Sequence, residues 1–179
     1  MACITKLATA IAYDCDSGAT GITRAIIINK ADIASFTVDS SVAAVSALTL
    51  APGAKAYKID TVKRSLVMSS ALKVNDGAPN AYAHTVSGVI TNTYAIGLRG
   101  ILRALTNGQF VVCVKPAGDT DPRVYGMYYG LSATAIENNS HENGGWFSFT
   151  LETPENVIGE DQLILSIPGY DEMYAAAVG

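Results

Sequence analysis

The chain has 179 residues, a net charge of −4, and 49% apolar against 16% charged side chains. That length suits one domain with an adequate core, and we read 1–179 as a single unit. Its twelve Lys and Arg are spread from Lys6 to Arg123 without a run, which argues against a sequence-independent grip on nucleic acid, and no stretch approaches the roughly eighteen apolar residues of a spanning helix. A charged share below the usual quarter or so leaves part of the exterior weakly polar, as surfaces covered by other molecules are. Cys3, Cys15 and Cys113 cannot all pair within the chain and read as reduced thiols of a protein folded in a cytoplasm. The apolar stretch 7–13 is short and ends at Asp14, unlike a signal peptide.

In chain order, most of the sequence reads as strand. Residues 23–29 (TRAIIIN) and 33–39 (IASFTVD) are joined by Lys30, Ala31 and Asp32, which predicts a hairpin. The Ala/Ser/Val stretch 40–53 has no clean period, 55–62 (KAYKIDTV) alternates, and 65–74 (SLVMSSALKV) continues as strand. NDGAPN at 75–80 predicts a turn, since Gly and Asn tolerate positive φ and Pro presets its own. His84, in YAHTVSGV, reads as a strand residue facing solvent or an interface.

Helical period enters at 92–108 (NTYAIGLRGILRALTNG). Tyr94, Leu98, Ile101, Leu102 and Leu105 recur at intervals of three and four, while Arg99 and Arg103 share the opposite side. Thr91 or Asn92 suits the N-cap and Gly108 the left-handed residue that closes the last turn. Gly97 and Gly100 weaken this helix by about 1 kcal/mol each against alanine, so it needs a sheet to lean on. Strand pattern returns at 109–115 (QFVVCVK), 124–136, 146–152 (WFSFTLE) and 163–168 (LILSIP), with the loop PAGDTDP before the second of these. Many strands with a single helix predict a mainly β protein, an antiparallel β-sandwich or barrel with one flanking α-helix.

Adjacent His141 and Glu142 in ENNSHENGG, 137–145, invite a catalytic reading. Asn, Ser and Gly crowded between two alternating strands instead spell a hairpin tip, and a loop histidine without neighbours to orient it makes a poor base. Two histidines and three dispersed cysteines lack the spacing of a zinc site. Asp14, Asp16 and Gly18 begin like a calcium loop but lack its later ligands. Neither a G-x-S-x-G elbow, a phosphate loop nor a dinucleotide fingerprint is present. The expectation is a non-enzyme with no catalytic residue, metal or cofactor. Tyr125, Tyr128, Tyr129, Trp146 and Phe147 could form a sugar-binding platform. On one continuous strand, however, Tyr125, Met127 and Tyr129 share a face, and sheet-stabilising aromatic pairs are the better reading. The tail 169–179 (GYDEMYAAAVG) carries Tyr170, Met173 and Tyr174, side chains favoured at association surfaces. It predicts a docking segment for a neighbouring copy, whose removal weakens assembly and leaves the β-rich fold.

The start MAC, the sheet-rich first half, the mid-chain helix running into NGQFVVCVK, then VYGMYYGLSATAIENNSHENGGWFSFTLET and a short terminal segment together resemble the tail tube proteins of bacteriophages, especially those from phages of Bacteroidota. The resemblance covers 92–153 best, about a third of the chain. It implies a β-sandwich closing into a barrel-like shape with a flanking helix, six copies in a ring, and rings stacked into a conduit for the genome. The partners it implies are other copies of the chain and other tail proteins; DNA passes through without specific binding and no membrane is involved. Assembly would take place in the host cytoplasm and the product would reside in the virion tail. The long hairpin arm that often links rings in that family falls loosely on 40–58, and Tyr170, Met173 and Tyr174 are the expected self-association residues. A tail terminator, head-to-tail connector or capsid decoration protein is the alternative within the particle, and a carbohydrate-binding β-sandwich is the alternative outside it.

Overall fold

A strand that is apolar on both sides must be covered on both faces. Two segments have that composition: β1 (Ile22–Asn29, ITRAIIIN) and β7 (Gln109–Pro116, QFVVCVKP). In the computed structural model, which describes residues 21–59, 65–90, 98–117, 121–141 and 145–178, they pair with each other antiparallel, Ile26 opposite Cys113 and Ile28 opposite Val111. Successive residues then feed two separate cores. Ile26, Ile28, Val111 and Cys113 enter one, and Ala25, Phe110, Val112 and Val114 the other.

The second edge of β7 is shared. Gln109 and Phe110 pair with β9 (Leu131–Asn138), while Val112 to Val114 pair with β8 (Arg123–Tyr125). From this fork the sheet runs outward as two arms. One passes from β8 through β11 (Leu163–Leu165) and β3 (Ala44–Leu50) to β2 (Ile33–Asp39); the other passes from β9 through β10 (Phe147–Glu152) and β6 (Ala81–Ile90) to β5 (Val67–Lys73). The short β4 (Tyr57–Lys58) flanks β1. The protein is mainly β, as its sequence predicts. One pair, β3 with β11, is parallel, so the sheet is mixed, and its path ends at β2 and β5 without closing into a barrel.

Several local expectations change. The segments 23–29 and 33–39 do not form a hairpin: β1 takes β7 and β4, and β2 pairs with β3 around the turn at 40–43. The connection Lys30–Asp32 is a 3₁₀ turn, tied by Asn29 Nδ2 donating to Asp32 Oδ2 at 2.7 Å and by the Ala51 N–H donating to Asp32 O at 2.8 Å. The arm expected at 40–58 is therefore the second half of the β2–β3 hairpin followed by β4.

Helix α1 (Leu98–Asn107) lies against β9 with Leu105 buried, Leu98 and Leu102 half-buried, and Arg99 and Arg103 exposed; Ile101, expected on the packed side, is exposed. Residues 91–97, including the proposed caps, lie outside the described residues. Gly108 is not left-handed. It is small because Phe110 crosses it: a Cβ there would stand 2.5 Å from the ring Cζ and 2.8 Å from Ala104 O. A second helix, α2 (Ile167–Ala176), adds to the single helix expected.

Candidate functional site

Residues 124–136 are not one strand. β8 stops at Tyr125, and GMYYG at 126–130 turns the chain into β9. Gly126 and Gly130 take φ of 79° and 76°, a region that costs other residues strain, and the Gly130 N–H donates to Gly126 O at 3.0 Å. Three side chains from elsewhere in the sequence hold this turn. Glu160, 1% exposed, accepts from the N–H groups of Tyr128 (2.8 Å) and Tyr129 (2.6 Å), one on each carboxylate oxygen. Lys30 Nζ donates to Met127 O at 2.6 Å and lies 5.1 Å from the centre of the Phe36 ring. His84 Nδ1 accepts from the Gly126 N–H at 3.3 Å. Burial raises the Glu160 carboxyl above its usual range, opposed by the two backbone N–H groups and Lys30; burial likewise lowers Lys30 against the pull of Glu160.

His84 is 1% exposed, which corrects the expectation of a solvent-facing or interface residue. It shares the even-numbered face of β6 with buried Val86 and Gly88, and that parity in YAHTVSGV marks it as inward. Thr153 brackets its backbone, accepting from the His84 N–H at 2.9 Å and donating its own N–H to His84 O at 2.9 Å. Its ring meets Tyr125 edge-on, with centroids 5.1 Å apart. Burial pushes the imidazole down to about 4. The folded state therefore holds His84 neutral, and this part of the stability is complete above the unfolded value of 6.5 and is lost as pH falls towards 4. The loss amounts to at most roughly 3 kcal/mol, and Glu160 opposes it by gaining its proton over part of the same range. We expect His84→Gln, checked by denaturant unfolding at several pH values, to flatten the acid limb of the stability curve; an unchanged limb would show that His84 does not control it.

The hairpin reading of the 137–145 tip holds: β9 and β10 pair with Asn138 opposite Phe147. His141 is exposed, and its backbone N–H donates to Asn139 Oδ1 at 3.0 Å; Glu142 lies outside the described residues. The five aromatics of the platform reading are divided, and Tyr125 and Tyr129, expected on one strand face with Met127, part from each other. Tyr125 is buried, Tyr128 and Tyr129 sit half-exposed on the turn with Tyr128 edge-on to Phe36, and Trp146 and Phe147 are half-buried. Cys113 is buried, its thiol pushed up to about 12; Cys3, Cys15 and the 14–18 loop lie outside the described residues.

The tail docks on its own chain. Tyr170 is fully buried in the core on the β3–β11 side, with Met173 and Tyr174 packed around it half-buried. Tyr170 and Tyr174 stack at 6.1 Å, and Arg24 and Lys58 lie over the Tyr174 ring at 5.1 and 5.0 Å. Val178 closes the segment through Lys58 N–H to Val178 O (2.8 Å) and Val178 N–H to Ala56 O (3.0 Å). The neighbouring-copy role expected for Tyr170, Met173 and Tyr174 is thus filled, at Tyr170, by the chain's own core.

The surfaces left open are the two ends of the sheet. Among the described residues β2 pairs with β3 alone and β5 with β6 alone, so each has a free edge. Each strand contains one charged residue, and both are engaged by their own chain. Asp39 accepts from Ser41 N–H and Oγ at 2.9 and 2.6 Å, and Lys73 Nζ donates to the carbonyls of Glu155 (2.9 Å) and Val157 (2.6 Å). Around β5, Val67, Leu72, Val74 and Ile158 are exposed, Leu72 by 61% and Val74 by 69%. Asn75 Nδ2 bonds to Ile158 O at 2.8 Å, which brings Val74 and Ile158 to the same end of the edge.

Among the described residues no three His, Cys, Asp or Glu side chains are grouped to hold a metal, and no helix is long and apolar enough to cross a membrane. No family model, curated protein or solved structure matches the chain.

Proposed function

We propose that this chain is a virion structural protein, a tail tube protomer that assembles with its own copies into stacked rings around a passage for DNA. The observation that carries the reading is the pair of free edges at β2 and β5, each with its single charge turned back onto its own chain and one bordered by exposed apolar side chains. Free edges are templates for further strand pairing, which soluble proteins usually guard with charges, prolines or bulges; β2 has two irregularities in its register with β3, at Ile33/Ser35 and Thr37/Val38, whereas β5 pairs with β6 in unbroken register. The edges lie at opposite ends of one strand path, so β5 of one copy meeting β2 of the next is a head-to-tail contact, which repeats around a ring when the rotation closes. The resemblance of 92–153 to tail tube proteins supports a phage-tail setting for that assembly, and a net charge of −4 without basic clusters suits a passage that DNA must leave freely.

Electron microscopy of the purified protein tests this directly. Rings that stack into tubes are the expected product. Rings that never stack would favour a terminator or connector, decoration of heads would favour a capsid role, and a monodisperse monomer at all concentrations would exclude assembly.

A further inference from the structure

The two arms of the sheet diverge at the β7 fork and leave a cavity of about 220 Å³ between β5 and β6 on one side and β8 and the start of β11 on the other. We propose that this cavity binds a small oxyanion, a phosphate or carboxylate group, through His84, Ser70, Arg123 and Gln162.

One polar atom of the buried histidine is left unused by the protein. His84 lines the cavity and is 1% exposed, yet its Nε2 has no hydrogen-bond partner. The other ring nitrogen is committed: it accepts the Gly126 N–H, so it carries no proton, and in the neutral ring the proton must sit on Nε2. Nε2–H is therefore a donor without an acceptor, and a buried donor left unmatched is destabilising. The remaining polar lining can donate as well. Arg123 brings a guanidinium that donates and never accepts, and it forms no ion pair among the described residues. Ser70 stands opposite His84 in the β5–β6 pair, which puts both side chains on the same face. Gln162 adds an amide.

No Asp or Glu lines the cavity. Glu160 and Asp161 precede Gln162 in sequence, but the Glu160 carboxylate is occupied by Tyr128 and Tyr129. One fixed positive charge, an unmatched Nε2–H donor and no carboxylate favour an oxyanion over a cation or an amine, and Ser70 and Gln162, which can each donate or accept, are able to turn donors towards it. The volume is below the roughly 300 Å³ at which sites for larger organic ligands begin, and holds a few waters or one small ion.

The chain has two histidines, and His141, exposed on the β9–β10 tip, is a built-in control. In full-length protein labelled with ¹⁵N-histidine, His84 is expected to show the Nε2–H tautomer. Titration with inorganic phosphate, and separately with acetate, at constant ionic strength against chloride should shift His84 saturably with Kd of about 1 mM or tighter, while His141 stays in place. A response to phosphate alone assigns a phosphate group, to acetate alone a carboxylate, and to both the shared chemistry. Arg123→Gln, with its fold checked by its unfolding midpoint, should weaken binding about ten-fold or more; Ser70→Ala is the second variant should Arg123→Gln not fold. The proposal is overturned by the Nδ1–H tautomer, by the absence of a saturable shift with either anion, by His141 moving in parallel, or by undiminished binding in the folded variant.

Discussion

Replacing Glu160 with alanine is expected to lower the unfolding free energy by about 3–5 kcal/mol, because its buried carboxylate accepts two backbone hydrogen bonds and a hydrogen bond to a charged group is worth about 1.5–3 kcal/mol. The carboxylate joins distant segments. Its backbone exchanges hydrogen bonds with Tyr82 at 2.8 Å in both directions, and its side chain receives the Tyr128 and Tyr129 N–H groups of the GMYYG turn. Removing it leaves two backbone donors without their acceptor and leaves Lys30, bound to Met127 O in the same turn, without a counter-charge. Glu160→Gln separates charge from hydrogen bonding. A carboxamide has one oxygen for two N–H groups and sets its NH₂ against the other, so a loss of about 2 kcal/mol is expected even though the desolvated charge is gone. Both variants should show a lower denaturant midpoint and faster amide exchange at Tyr128 and Tyr129. If Glu160→Gln unfolds where the parent does, the carboxylate is not what holds the turn.

Tyr170 gives the second large effect, and its two variants have opposite signs. Tyr170→Ala should cost about 3–5 kcal/mol, as large-to-small changes at fully buried aromatic sites do. Tyr170→Phe keeps the ring and removes a hydroxyl that is buried without a hydrogen-bond partner, so its stability should equal or exceed that of the parent. Denaturant unfolding of the two proteins gives both numbers. A Phe variant as unstable as the Ala variant would mean that the hydroxyl, and not the ring, anchors α2. The same burial revises what truncation does. Deleting 169–179 removes Tyr170 from the core and Val178 from its bonds to Ala56 and Lys58, so the expected result is loss of fold and not loss of assembly alone.

Local pattern carried the sequence reading as far as local physics reaches. The strand-like run SLVMSSALKV, the turn residues of NDGAPN and the polar tip of ENNSHENGG lead directly to β5, the turn before β6 and the β9–β10 hairpin. Pairing was harder because β1 finds its partner β7 some eighty residues away, and nothing in TRAIIIN distinguishes that partner from the next strand along. The doubly apolar composition of both strands was the available signal. In GMYYG, two glycines four apart marked a turn, but the tyrosines between them imitate strand period. Helix α2 was signalled by Pro168 in its first turn and by Tyr170, Met173 and Tyr174 at spacings of three and one, read as an association surface because the same residue types suit both. Glu160 had no local mark at all. An acid in IGEDQ looks solvated until the turn that it binds is folded against it.

The central claim is that the free edges of β2 and β5 are contact surfaces between copies, and sedimentation velocity of the parent beside Leu72→Lys tests it most directly. Leu72 is exposed, so a lysine there leaves the pairing with β6 and the core in place while adding the charge that the edge lacks. The account predicts a parent that grows into larger species with concentration and a variant that stays monomeric with an unchanged unfolding midpoint. A parent that sediments as a monomer throughout, or a variant that assembles as readily as the parent, would contradict it.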